Sequence, residues 1–153
     1  MPERGVHATL VRVHGRGVLI QGPAGSGKST LALQLVRAGH ALVADDLVLL
    51  QQQQGQLFGS AADSAEGRLA IRGAGILPIF QLFGPQSVHG RPQSIDWRVE
   101  LDAQAQATLP SHVHSELDGV SLPTLQLRAG VDHGALIEAC CRAGSPALLR
   151  WAH

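Results

Sequence analysis

Tyrosine is absent from this chain and aromatic residues make up only 3% of it. A platform that stacks the bases of single-stranded nucleic acid is built from such rings, so their scarcity argues against that function. An excess of charge of one sign is missing too: Lys+Arg 12 and Asp+Glu 12 give a formal net charge of zero. That balance removes the electrostatic pull toward a phosphate backbone or an anionic lipid surface. The only cysteines are the neighbours Cys140 and Cys141. Adjacent cysteines make a poor structural disulfide, so they fit a reduced compartment and small apolar positions on a C-terminal helix. No apolar run approaches membrane-span length, and Met1-Pro-Glu-Arg does not lead into a signal peptide, so a cytoplasmic protein is expected.

What is present is a chain of 153 residues, 44% hydrophobic and 16% charged. It is long enough to bury a core and too apolar for disorder, and 1–153 reads as a single domain. Its most informative stretch is Gly22-Pro23-Ala24-Gly25-Ser26-Gly27-Lys28-Ser29-Thr30, a G-x-x-x-x-G-K-S pattern directly after the apolar run Val18-Leu19-Ile20. A strand feeding a glycine loop that opens a helix is the context of a phosphate-binding loop. Its glycines let successive N–H groups turn inward around an anion. Lys28 supplies a point charge for β- and γ-phosphates, Ser29 is placed to ligate Mg²⁺, and the helix N-terminus adds partial positive charge. The pattern points to a nucleoside triphosphate.

Around this loop, Ala8–Val13 and Val18–Gln21 predict a hairpin turning at His14–Gly17. Ser29–Ala38 predicts a helix closed by Gly39, with Leu31/Leu35 and Ala32/Val36 at i, i+4 spacing. Ala41–Ala44 predicts a buried strand ending in Asp45-Asp46, and Leu47–Leu50 an extended continuation. Gln51–Gly55 reads as a solvated turn. Leu57–Gly59 and Leu69–Ile71 read as short strands, residues 84–94 as a mobile loop, Ile95–Leu101 and Leu122–Leu127 as strands, and Gly134–Ala143 as a helix. The polar stretch 102–119 has no clear period. Within it His112, His114, Glu116 and Asp118 are metal-ligand types, but their spacing matches no zinc template, and a polar loop is the simpler reading. Asp45 and Asp46 supply what phosphoryl transfer needs besides a phosphate loop. One carboxylate can approach Mg²⁺ while its neighbour faces the acceptor oxygen.

These residues resemble a known family. His7-Ala-Thr, Gly17 to Leu33 and Gly39-His40-Ala-Leu-Val-Ala-Asp45-Asp46 are similar to the catalytic domain of HPr kinase/phosphorylase. Ile71-Arg72-Gly73-Ala74-Gly75-Ile76 resembles its R-G-x-G-I signature, and Leu127–Gly130 with Leu136-Ile-Glu138 its C-terminal loop and helix. The chain is similar to the short versions, typical of alphaproteobacteria, that lack the N-terminal domain. The resemblance implies an α/β fold: a mixed sheet with a phosphate loop and flanking helices, built like phosphoenolpyruvate carboxykinase. It also implies transfer of the γ-phosphoryl of Mg-ATP to a serine of HPr or an HPr-like phosphocarrier protein, by a homohexamer. Lys28 and Ser29 would hold phosphate and Mg²⁺. Asp45 would be the base toward the acceptor, Asp46 would support the metal, and His7 would lie beside the catalytic aspartate.

Three positions depart from the family pattern. Ala70 stands where a glutamate contributes to Mg²⁺, Thr108 where an arginine meets the transferred phosphate, and Ala129-Gly130-Val131-Asp132 where the family reads P-G-R-N. One lost charge-stabilising donor is typically worth ~10²–10³ in rate. Two other functions therefore stand beside the protein serine kinase: a catalytically degenerate module that senses ATP or ADP, and a kinase for a small-molecule hydroxyl. By itself Arg72 reads as an exposed loop arginine.

Overall fold

The computed structural model describes residues 4–62, 66–103 and 113–143. Its frame is a mixed sheet of nine strands. In chain order the elements are β1 Arg4–His7, β2 Thr9–Val13, β3 Arg16–Gln21, α1 Lys28–Arg37, β4 Ala41–Ala44, β5 Leu47–Gln53 and β6 Gln56–Ser60. There follow β7 Arg68–Ile71, β8 Gly75–Pro78, α2 Ile79–Phe83, β9 Gln93–Asp102, β10 Val113–Leu117, β11 Val120–Arg128 and α3 Gly134–Ala143. Strands run β1-β5-β6-β9-β3-β2-β4, with β11 and then β10 added to β9, while β7 and β8 form a separate ribbon. The pairs β3·β9 and β9·β11 are parallel; the others in the sheet are antiparallel.

The expected β2·β3 hairpin forms with Thr9 opposite Ile20 and Val13 opposite Arg16. Its turn is shorter than expected, only His14-Gly15, both at positive φ (49° and 80°). Two central residues with positive φ make the mirror-image turn whose twist matches that of paired strands. The same device closes β5·β6 at Gln54-Gly55 and β10·β11 at Asp118-Gly119. Gln51–Gln53 are therefore strand, paired to Phe58, Leu57 and Gln56. Part of the stretch 102–119 is strand as well, in β10.

Residues 84–94 are not the loose loop expected. Ser87 is buried and its Oγ donates to Gly84 O at 2.6 Å, His89 N donates to Leu42 O at 2.9 Å, and Gln93-Ser94 begin β9. β1 was not anticipated; it covers the edge of β5.

Side chains alternate across the sheet and build a core on each face. Val11, Val13, Val18 and Ile20 join Leu31, Leu35 and Val36 of α1 and Ile137 of α3. Leu10 and Leu19 face the other way, with Val43, Val48, Leu50 and Ile95. β3 is thus buried on both faces, which holds the loop at its end rigidly. Gly17 is required where β9 crosses: a Cβ there would overlap the Ser94 carbonyl, and its N–H donates to Asp96 Oδ2 at 2.9 Å. Among the described residues no helix is long and apolar enough to cross a membrane.

Candidate active site

Topology brings the predicted residues to one edge. β2 runs antiparallel to both β3 and β4, so the ends of β3 and β4 and the start of β2 meet there. The end of β3 opens into Gly22–Gly27, the end of β4 into Asp45-Asp46, and the start of β2 offers His7 and Thr9.

The loop from Gly22 to Gly27 has the features an anion site needs. Gly25 and Gly27 lie at φ 80° and 97°. A Cβ at Gly22 would come within 2.6 Å of Ser26 Oγ and 2.8 Å of Leu101 O, and one at Gly25 would overlap the Arg72 guanidinium. α1 starts without a side-chain cap and without an acidic residue in its first turn, so its first N–H groups are left for a ligand. Ser26 Oγ is buried with no hydrogen-bond partner. The Lys28 ammonium reaches back over the loop, donating to Gly22 O at 2.8 Å and Pro23 O at 3.2 Å. Thr30 follows Ser29 in the first turn of α1, is exposed, and lines two of the cavities around the loop.

Asp45 and Asp46 are adjacent in sequence and opposite in surroundings. Leu47 N donates to Asp45 O at 2.8 Å around Asp46 at φ 68°, a γ-turn of the rarer, strained hand. This turn sends Asp45 inward, 8% exposed, and Asp46 outward, its side chain 76% exposed. Asp45 Oδ1 accepts from Ser29 Oγ at 3.0 Å and Thr9 Oγ1 at 2.8 Å, and its Oδ2 accepts from Ala70 N at 3.0 Å. His7 Nδ1 lies 3.4 Å from Asp46 Oδ1, an exposed pair that solvent screens. The carboxylate beside the loop serine is therefore Asp45, and the one beside the histidine is Asp46. The resemblance implied the reverse for both partners. Adjacency alone does not tell which of two aspartates a turn points inward.

His7, Lys28, Ser29, Asp45 and Asp46 line one cavity of about 540 Å³. Arg72 lines an adjoining cavity of about 330 Å³ with Gly25, Lys28 and Ser29. A third, about 390 Å³, lies between the loop, α1 and the Ala129–Asp132 segment. Arg72 is exposed in the β7–β8 turn, as its sequence neighbourhood suggests, and it also lines the site. Ala70 sits against Asp45 and offers a main-chain donor in place of a carboxylate. Thr108 and His112 lie outside the described residues. His114 and Glu116 are on β10, not in a loop, and Asp118 pairs with Arg4. These three do not come together as a metal cluster.

Comparison with known proteins places the chain in a family and a fold. The family described as HPr Serine kinase C-terminal domain matches residues 1–144. An HPr kinase/phosphorylase of Streptococcus thermophilus is 37% identical over 142 residues, which are 88% of this chain and 46% of that protein. One from a Geobacillus species is 51% identical over 88 residues, 57% of this chain and 28% of that protein. The chain thus spans less than half the length of these curated relatives. The solved structure of the Hpr(Ser) kinase/phosphatase from Coxiella burnetii superposes with a TM-score of 0.82 at 31% identity, covering 92% of this chain and 95% of that one. With its mixed sheet and glycine loop, the chain belongs to the HPr serine kinase C-terminal domain family.

Proposed function

We propose that this chain binds Mg-ATP and transfers its γ-phosphoryl group to a serine hydroxyl of HPr or an HPr-like phosphocarrier protein. The observation that carries this reading is the 3.0 Å hydrogen bond from Ser29 Oγ to Asp45 Oδ1, which joins the glycine loop to the acidic pair inside one cavity. Main-chain N–H groups of Gly25, Gly27, Lys28 and Ser29, the start of α1 and the Lys28 ammonium hold the phosphates. Ser29 and Asp45 are the oxygen ligands placed to hold Mg²⁺, which when bound neutralises charge on the transferring phosphate. Asp46 faces the open side of the cavity, where an acceptor hydroxyl arrives, and takes its proton; His7 orients Asp46. The Arg72 guanidinium beside Gly25 supplies a cation near the phosphates. Cytoplasmic ATP and a cytoplasmic carrier protein fit this chemistry.

A protein acceptor is favoured over a small hydroxyl compound by the surface next to the site. Ile76, Phe80 and Leu82 are 65%, 51% and 55% exposed, and Ile76 pairs with Ala70, whose N–H bonds Asp45. Exposed apolar side chains on β8 and on the α2 that follows it suit a docked protein. The absence of a carboxylate at Ala70 and of a cation at Val131 favours a second reading, a module that binds nucleotide without transferring it.

Transfer from γ-labelled ATP to a purified HPr-like protein, read beside calorimetry with Mg-ATP, tests all of this. Asp46→Asn is expected to keep Mg-ATP affinity and lose at least ~10² in transfer, the scale of general-base catalysis. Asp45→Asn is expected to lose the Mg²⁺-dependent part of the affinity. If Asp45→Asn binds Mg-ATP normally and only transfer is lost, Asp45 is the base and the two roles exchange. A wild-type chain that binds Mg-ATP yet labels no carrier favours the nucleotide-sensing module.

A further inference from the structure

At the other end of β3 from the glycine loop, three metal-ligand side chains converge from three separate elements. His14 stands in the β2–β3 turn, His40 between α1 and β4, and Glu138 on α3. One ligand atom from each lies within 4.8 Å of the other two. The His14 and His40 rings meet edge to face, centroids 4.9 Å apart. At roughly 3.3 Å per strand residue the group is about 20 Å from the glycine loop. It therefore has no part in holding phosphate.

His40 is the informative member. Its side chain is only 8% exposed, and its Nε2 is buried without a hydrogen-bond partner. That nitrogen points at Glu138 Oε2, 3.4 Å away. Two ligands on one tetrahedral ion at 2.0–2.1 Å are separated by about 3.3–3.4 Å. An imidazole nitrogen buried without a hydrogen bond is costly, and a cation between it and the carboxylate relieves that cost. We propose that His40 Nε2, Glu138 Oε2 and a ring nitrogen of His14 form a divalent transition-metal site of the zinc class. Two neutral imidazoles and one carboxylate suit Zn²⁺ and its neighbours and do not suit Mg²⁺. His14 is exposed, so its ring can turn inward to complete the set, and water takes the fourth position. The ion would tie the hairpin turn and the end of α1 to α3, and so act on stability rather than on chemistry.

The test titrates Zn²⁺ into the untagged full chain by calorimetry, with excess Mg²⁺ present. A parallel titration with Co²⁺ reads the visible bands of tetrahedral coordination. The expected result is one Zn²⁺ per chain and a melting temperature that rises with Zn²⁺. His14→Ala, at an exposed position, and the isosteric Glu138→Gln should each weaken Zn²⁺ binding at least tenfold while leaving the circular dichroism spectrum unchanged. Either variant binding Zn²⁺ as tightly as wild type would overturn the proposal. So would a wild-type chain that takes up no Zn²⁺ in Mg²⁺ buffer, which leaves a plain His40–Glu138 ion pair.

Discussion

Gly25 carries two constraints at one backbone position. Its φ of 80° lies in the left-handed region, and the Arg72 guanidinium occupies the space a side chain would need. Gly27 carries only the first, with φ 97° and no atom within 4 Å of an added Cβ. A left-handed conformation costs a non-glycine residue about 1–2 kcal/mol. Gly25→Ala is therefore expected to cost more Mg-ATP affinity than Gly27→Ala, at least tenfold by calorimetry, because it also displaces Arg72. Equal losses would show that Arg72 contributes nothing to phosphate binding. The loop itself was legible from its spacing, since strand, glycines, Lys28 and Ser29 came in the right order. The assignment of partners to Asp45 and Asp46 was not. It depends on the strained turn at Asp46, and nothing in an Asp-Asp pair announces a positive φ.

Among the elements, α1 depends on its buried stripe. Leu31, Ala32, Leu35 and Val36 face the sheet, and Leu35 is fully buried. Leu35→Ala should destabilise the chain by about 2–5 kcal/mol, the range for emptying such a site, measured as a fall in the urea midpoint. A change below about 1 kcal/mol would mean that the core collapses around the void. This helix was readable because its apolar residues recur at i, i+4. The β10·β11 hairpin was not read, although Asp118-Gly119 is a strong turn signal for it. Polar residues at His114, Ser115 and Glu116 hide the strand period on a face that is mostly exposed. In β5, Val48 and Leu50 show the alternation, but the glutamines that continue it resemble a turn until β6 is found beside them.

At the scale of the whole molecule, α3 seals one core with Cys140 and Cys141, both buried as free thiols. Burial, reinforced by its neighbour Cys140, pushes the Cys141 thiol up to about 12, against an ordinary value of 9.0. Burial raises Cys140 as well. The unfolded chain ionises these thiols first. Stability is thus unaffected by them below pH 9 and falls as pH rises from 9 toward 12. Urea midpoints measured from pH 7 to 10.5 should show this decline, and Cys141→Ala should flatten it. A wild-type midpoint that stays level across that range would mean the thiol is reached by water in the native state. The mixed character of the sheet follows from the family resemblance, not from the order of apolar runs. The role of β9 was not legible, because a strand's partners far along the chain leave no local mark. That role has a consequence for biosynthesis. β3 pairs with β9, as in Gly17 opposite Ile95, and β9 in turn pairs with β11. At about 5–20 residues per second, the strand bearing the glycine loop spends several seconds on the ribosome with one raw edge before its neighbour emerges. Until then that edge is open to pairing with a strand of another chain, the hazard common to sheets whose neighbours lie far apart in sequence.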